Sequence, residues 1–582
     1  MSASARAGEA VRLRRWGEAG NAALCAGLCF LFGALVLQPW RVSLGVPYLY
    51  RGDSTLYQAS VKGVLDHGWY WHNGSLGAPG QAQLFDFPSL CGDPLNVLVF
   101  KFLGLFTDDS AVVMNVFFLL TFPAVGLAAY LVLRRLTLSV PVAIACSILY
   151  ALLPYHFTRG EGHLLLSAYY AVPLGAYLVL SVLGDRVLFA GRRVTLGTVA
   201  LCAVIAFASA SYYYSAFTVV LVASAAVLRA IALRSRRPLL QGGGVVAVIV
   251  GLSLLTLLPS FAYWAANGTN PAVAHRSAFE SELYGLKLAQ LVLPIEDHRI
   301  GPLSRARETY DGWFPRTEAS FDTPLGIVAA IGFVGLLGLC LVQLVAPGRP
   351  LAPTLYGNAA IASLLALLFA WAGGFAVFVA LVDPQVRSWN RLSVFIAFFA
   401  LLAVGLVLDR LLGRVGSIAG AVLLCGVLAV GVLDQTSTAY EPHYDALAAD
   451  YRSDGDFVRA VESRVPRGSM ILQLPFMAFP EAPELHAMAD YDPLRGYLHS
   501  RNLRWSYGRI KGRGENRSAT IAAEKVPDLV RDAKAAGFAG IYVDRFGYAD
   551  GASRIEQQLT GEAGKPPLVS PNGRLSFFQL AG

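Results

Sequence analysis

The sequence predicts an all-α polytopic membrane domain followed by a small α/β domain. Three observations carry that expectation. Of the 582 residues, 55% are hydrophobic and only 15% charged, and the mean hydropathy is +0.51, far from the composition of a soluble globular chain. Runs of roughly 18 or more apolar residues, the length a helix needs to cross a bilayer, recur up to Leu433. Beyond Leu433 the composition turns mixed polar and charged for about 150 positions, enough for one globular domain.

Taken in order, residues 1–20 form a basic N-terminus with Arg6, Arg12, Arg14 and Arg15, expected in the cytoplasm. The apolar stretch from Asn21 to Gln38 approaches spanning length and ends at Pro39-Trp40 without a small-residue cleavage pattern, so it reads as a retained first helix. About eleven spans are expected within 21–433, near 21–40, 110–133, 139–156, 164–183, 194–211, 213–233, 242–264, 323–346, 355–372, 391–409 and 416–433. The fifth and sixth are separated only by Ser209 to Tyr214, which fits either a tight helical hairpin or one long kinked segment.

Charge orients these spans. With the N-terminus in the cytoplasm, Arg134 and Arg135, Arg186, Arg192 and Arg193, Arg229, Arg234, Arg236 and Arg237, Arg349, and Arg410 with Arg414 all fall in short loops on that side. The long segments 41–109, 265–322 and 434–582 fall outside, together with all nine histidines, among them His156, His163 and His275. The net charge of +8 therefore orients a membrane protein, and no nucleic-acid partner is expected. The cytoplasmic loops are too short for a nucleotide-binding domain, and a Gly-rich Lys loop is absent. Six of the seven cysteines lie in apolar runs and Cys91 in a polar loop, which is no disulfide framework.

In the tail, Phe457, Val458, Val461 and Val465 follow a helical period, and a second helix is expected from Val526 to Ala536, stopped by Gly537. Met470 to Leu474, Ile541 to Val543 and Leu575 to Leu580 read as strands.

Four groups of residues suit chemistry. The first external segment is too long for a mere connection and holds Asp53, Trp69, Trp71, Asp86 and Asp93; aromatics beside carboxylates suit stacking on a sugar ring and accepting hydroxyl protons, and equally an interfacial aromatic belt. A polar break between two spans carries His156, Arg159, Glu161 and His163. A charge at the bilayer centre costs roughly 2.5–3.5 kcal/mol, so these groups belong at the interface or in a wet cavity. The two histidines admit a divalent metal, hydrogen bonds to a substrate, or a simple polar turn; no other cofactor is expected. Arg387, Trp389, Asn390 and Arg391 enter a span from outside, where a guanidinium suits a lipid phosphate, or snorkels. In the tail, Trp505 and Arg509 belong to a basic, glycine-rich and aromatic run that suits an anionic or glycan group.

On these residues the chain resembles bacterial polytopic proteins of the YfhO or "sugar translocase" type, within the GT-C glycosyltransferase-like superfamily. The resemblance covers most of the chain and rests on Gly52-Asp53, Gly68-Trp69-Tyr70, Leu76-Gly77-Ala78-Pro79, Asp86-Phe87-Pro88, Pro154-Tyr155-His156-Phe157 with His163-Leu164, Trp389-Asn390-Arg391-Leu392-Ser393, Leu474-Pro475-Phe476 and Arg504-Trp505-Ser506-Tyr507-Gly508. It implies a GT-C-like bundle in the inner membrane and a polyprenyl-phosphate-linked sugar as donor. The acceptor would be a cell-envelope glycan or lipid. It also implies a required carboxylate in the first external loop, for which Asp53 matches best and Asp86 is the second candidate. Where the superfamily often has two adjacent acids, this chain has Asp53-Ser54. The competing expectations are a flippase for a lipid-linked sugar and a noncatalytic glycan-binding assembly factor.

Overall fold

A computed structural model describes residues 3–88, 90, 92–184, 189–190, 193–273, 276–316, 322–346 and 355–580. Cys91, Arg186, Arg192, His275 and Arg349 lie outside the described residues. Among the described residues, eight helices are long and apolar enough to cross a membrane: Gly17–Leu37, Ser110–Arg135, Val140–Arg159, Tyr213–Leu233, Arg237–Asn267, Ile327–Val345, Trp389–Leu412 and Ser417–Gln435. The remaining three expected spans are shorter apolar helices, Ala171–Leu183, Leu196–Phe207 and Leu355–Ala370. The chain is a multi-pass membrane protein.

The bundle has an inside and an outside. Ser393–Leu412 runs through its middle, with Val394 to Leu402 buried without a break and packed against Ile327–Val345, Leu355–Ala370 and Val140–Ala151. A helix apolar all round is what a central position requires. Arg237–Asn267 and Ser417–Gln435 sit at the periphery with most of their apolar residues exposed, as Leu254, Leu258, Ile418 and Val422 are.

The segment that the sequence left open as hairpin or kink is a break. The helix Leu196–Phe207 stops, Ala210, Ser211 and Tyr212 all take positive φ (49°, 55° and 72°), and Tyr213–Leu233 begins. Three consecutive left-handed non-glycine residues need outside support. Asp93, wholly buried, supplies it by accepting the backbone N–H groups of Ala210 (2.9 Å) and Ser211 (2.7 Å).

After the last span the helix Tyr444–Glu462 leads into a five-stranded mixed sheet in the spatial order Arg504–Trp505, Met470–Leu474, Phe538–Asp544, Leu575–Gln579, Leu568–Val569. The first three run parallel to one another, Leu575–Gln579 runs antiparallel to Phe538–Asp544, and Leu568–Val569 runs antiparallel to Leu575–Gln579. Alternation assigns the faces: Ile471 and Tyr542 pack toward Phe457, Val458 and Val461, whereas Leu472, Leu474, Ile541 and Val543 pack toward Leu529, Val530 and Leu559. Both faces are covered, one by Tyr444–Glu462 and the other by Val526–Ala535 and Ser553–Ala563.

The tail does not stand apart from the bundle. Residues 75–78 of the first long segment lie along the edge strand Arg504–Trp505. The Trp505 N–H donates to the Ser75 carbonyl (2.8 Å), and the N–H groups of Ala78 and Gly77 donate to the Trp505 and Tyr507 carbonyls (2.9 and 2.7 Å). An otherwise open sheet edge is thereby paired.

Candidate functional site

Asp53 opens the helix Asp53–His67, and Gly52 before it sits at φ 58°, ψ −134°, a conformation that a side chain makes costly. Upstream, Tyr50 is plugged into the tail. Its hydroxyl donates to Asp454 (2.9 Å), its carbonyl accepts from Arg495 (2.7 Å), and the Arg495 guanidinium lies 4.0 Å from its ring centroid. Arg495 belongs to a buried charge network with Asp454, Asp492, Arg574 and Asp544. The start of the Asp53 helix is therefore fixed by residues more than 400 positions away.

The Asp53 carboxylate is 48% exposed and faces His163, with Nε2 3.7 Å from Oδ2. One turn further, Tyr57 has its phenol pushed above the usual range by burial, with Asp53 and Asp93 raising it further and Arg391 and Arg159 opposing them. One hydroxyl thus lies within electrostatic reach of Asp53, Asp93, Arg159 and Arg391. Arg391 is buried and its guanidinium stacks on the Tyr213 ring at 4.1 Å. Tyr213 is the first residue after the break that Asp93 holds, so Asp93 sets the platform for Arg391. Arg159 forms a buried ion pair with Asp322, toward which the Asn390 amide also points (3.5 Å). Arg387 pairs with Glu280 (2.6 Å) over the Tyr284 ring.

The tail adds its own acids. Arg276 from the second long segment pairs with Glu481. Asp490 accepts the N–H groups of Tyr491 (2.9 Å) and Ala482 (3.2 Å), yet its carboxyl is pushed up to about 7, by burial first and then by the charges of Asp53 and Glu481. Neither Asp490, Tyr57, Tyr213 nor Asp322 was expected from the sequence. Each is a common residue type without a motif, and only its neighbours mark it.

Several expected site residues lie elsewhere. His156 is wholly buried, stacked on Phe122 at 3.8 Å, with its Nε2 against the Thr121 hydroxyl and its Nδ1 against the Ala151 carbonyl, both 2.8 Å. Both nitrogens are occupied, so it is a packing residue and not a partner for His163. Among the described residues no three His, Cys, Asp or Glu side chains converge as a metal ligand set. Trp389 is buried between Phe217 and Phe369, and Trp505 is buried against Tyr542 and the face of Gly496, where a Cβ would come within 2.5 Å of the indole. Glu161 is 2% exposed and accepts the backbone N–H groups of Tyr48 (2.7 Å) and Leu49 (3.1 Å).

Asp86 is also spoken for. It takes two hydrogen bonds from Arg513 (both 2.6 Å), one from Trp264 (2.8 Å) and one from Asn270 (3.2 Å). Burial alone would raise its carboxyl, but these donors hold it below the usual carboxylate range. Arg509, Gln81, Gln83, Tyr263 and Arg513 line a cleft of about 330 Å³ beside it. Trp71, Phe85 and Tyr263 stack face to face in a row there (5.1 and 4.8 Å), while Trp69 is half-buried against Tyr70. The fourteen expected residues thus divide into a cluster around Asp53, a second group around Asp86, and residues buried away from both.

No protein-family profile matches the chain, and no curated protein does. Among solved structures, the chain is similar to the arabinofuranosyltransferase AftD from mycobacteria, with 14% identity and a TM-score of 0.49 over 98% of this chain and 40% of that one. It thus spans two fifths of that enzyme's length. It is also similar to ArnT from Cupriavidus metallidurans, with 14% identity and a TM-score of 0.48 over 95% of this chain and 97% of that one. The Archaeoglobus fulgidus oligosaccharyltransferase aligns with 13% identity and a TM-score of 0.40 over 96% of this chain and 73% of that one.

Proposed function

We propose that the chain is an inverting glycosyltransferase of the GT-C type, moving a sugar from a polyprenyl-phosphate donor to a hydroxyl of a cell-envelope glycan or lipid. The observation that carries this reading is the pairing, around Tyr57, of one half-exposed carboxylate, Asp53, with guanidiniums held in fixed positions. Asp53 accepts the proton of the acceptor hydroxyl, whose oxygen forms a bond to the anomeric carbon from the face opposite the departing group. The bond from that carbon to the phosphate oxygen breaks, and its electron pair leaves with the polyprenyl phosphate. Arg391, immobilised on Tyr213, meets the charge that develops there without having to reorganise. His163 steers Asp53, and Arg387 with Asn390 flanks the phosphate side.

We place the site at the extracytoplasmic face of the cytoplasmic membrane, with the tail on the same side. The arginine-rich loops at the other end of the bundle support this through the positive-inside rule. Transport of an intact lipid-linked sugar is less well served, because the charged groups gather at one end and not near the midplane of broken, repeated halves.

The test is transfer from purified polyprenyl-phosphate sugars by the purified protein and by its Asp53→Asn variant. Turnover by the wild type and its loss in the variant are expected. Undiminished turnover in the variant overturns the assignment of the base, and a reporter fused to the tail that reads cytoplasmic overturns the sidedness.

A further inference from the structure

Beside the Gly160–Gly162 turn lies a cavity of about 540 Å³ whose lining includes neither Asp53, His163 nor Arg391. It opens between the end of the first span, the turn after Phe157, and the connection that follows the last span, and its size is that of a small-molecule site. Its apolar wall is a parallel stack of Phe157 on Tyr440, with ring centroids 5.0 Å apart and planes 4° off parallel.

Its polar wall is incomplete. The Tyr48 hydroxyl and Glu161 Oε1 are buried there, and neither has a hydrogen-bond partner among the described residues. Each unpaired buried polar atom costs about 1–3 kcal/mol, so two among the residues lining one cavity mark a place where a ligand completes the set. Burial pushes the Glu161 carboxyl up to about 8 despite its two backbone N–H donors, so at neutral pH it carries a proton and offers a donor as well as an acceptor.

The remaining charges select against an anion. Glu296, Asp297 and Glu441 also line the cavity; Glu441 is engaged by Gln38 (2.6 Å) and Arg41, and the one lining arginine, Arg159, is paired with Asp322. Among the described lining residues a phosphate would meet several carboxyl groups, with Arg159 committed to Asp322 and His443 the one other basic side chain. A sugar ring meets an aromatic face for its C–H surface and carboxyl and phenol groups for its hydroxyls.

We propose that this cavity binds an uncharged sugar ring of the acceptor, apart from both the phosphate-bearing donor at Arg391 and the acceptor hydroxyl that meets Asp53. It rests on the transferase reading for the word acceptor; the sugar-binding site itself does not.

The experiment measures binding by the full chain in nanodiscs of a zwitterionic lipid. The probes are methyl and octyl glycosides of glucose, mannose, galactose and arabinose, with octyl phosphate as competitor. Binding of at least one glycoside is expected. Tyr48→Phe, which removes a single oxygen, and Tyr440→Ala should each weaken it about three- to tenfold while the melting temperature of Tyr48→Phe stays at or above the wild-type value. Preference for the octyl over the methyl glycoside reads a lipid-borne sugar, and the reverse a free glycan; either supports the site. Absence of binding by the whole panel, affinity unchanged in both variants, or displacement by octyl phosphate overturns it. Asp53→Asn should bind the glycoside normally, and loss of binding there relocates the sugar and overturns the proposal. Full turnover by Asp53→Asn would instead overturn the base assignment while leaving the binding result standing.

Discussion

Asp53 and Asp86 lie in the same long segment after the first span, each beside a conspicuous aromatic run, and they have opposite fates. Asp86 is 3% exposed and saturated by four hydrogen bonds from Arg513, Trp264 and Asn270. Asp53 is 48% exposed with a histidine 3.7 Å away. A carboxylate whose lone pairs are filled by a guanidinium, an indole N–H and an amide is a poor base, because protonation must first break those bonds. Its role is mechanical: it ties the first segment to the tail through Arg513 and to the end of Arg237–Asn267 through Trp264. The difference teaches that an acid near a membrane surface is read by its partners and not by its neighbours in sequence.

The largest expected effect separates the two acids directly. Asp53→Asn should lower turnover by about 10²–10⁴-fold, the usual worth of a general base, with little change in thermal stability. Asp86→Asn should do the reverse. It leaves Arg513 facing a neutral amide at a nearly buried position, so stability falls by about 3 kcal/mol while turnover per folded molecule is kept. Parallel melting curves and rate measurements on both variants check the pair, and a shared phenotype would erase the distinction. Next in size, Tyr213→Leu removes the face on which Arg391 rests, a contact worth about 0.5–2 kcal/mol. It should appear as weaker donor use, up to about thirtyfold in kcat/KM, with Tyr213→Phe close to wild type.

The smallest effect sharpens the comparison by adding a third acid. Asp490 has its carboxyl at about 7 in the folded protein, above its ordinary value near 4. The folded state therefore holds a proton that the unfolded chain has released. The stability this contributes is complete below about pH 4 and is lost as pH rises through about 7. The melting temperature of the wild type should drift down between about pH 5 and pH 8, and Asp490→Asn should flatten that drift by a degree or two, as calorimetry at several pH values would show.

Much of the architecture was legible because it follows from local rules. Strand and helix positions in the tail follow their apolar periods: Met470–Leu474 and Val526–Ala535 fall where the sequence predicts them, and the strand expected over Ile541 to Val543 extends to Phe538–Asp544. The site was legible only in part. Asp53, His163, Arg159 and Arg391 are brought to one region, but His156 and Trp505 carry the same outward signs and are packing residues. A histidine near a helix break and a tryptophan in a basic loop look alike in sequence whether they meet solvent or a phenylalanine ring. Asp93 was expected only as one of the carboxylates of the first segment and Asp490 not at all, because what they do depends on backbone N–H groups that arrive from elsewhere in the chain.

The sequence by itself determined that this is a membrane-embedded helical bundle with a polar α/β tail, since hydrophobic length and period are summed residue by residue along the chain. Only the tertiary structure decided which acids and arginines work together, that the first long segment pairs with the tail's sheet edge, and that Tyr50 anchors Asp53 through Arg495. The physical reason is that burial and charge pairing act through space: a carboxylate's chemistry is set by the donors and charges within a few ångströms of it, and these come from parts of the chain hundreds of residues apart.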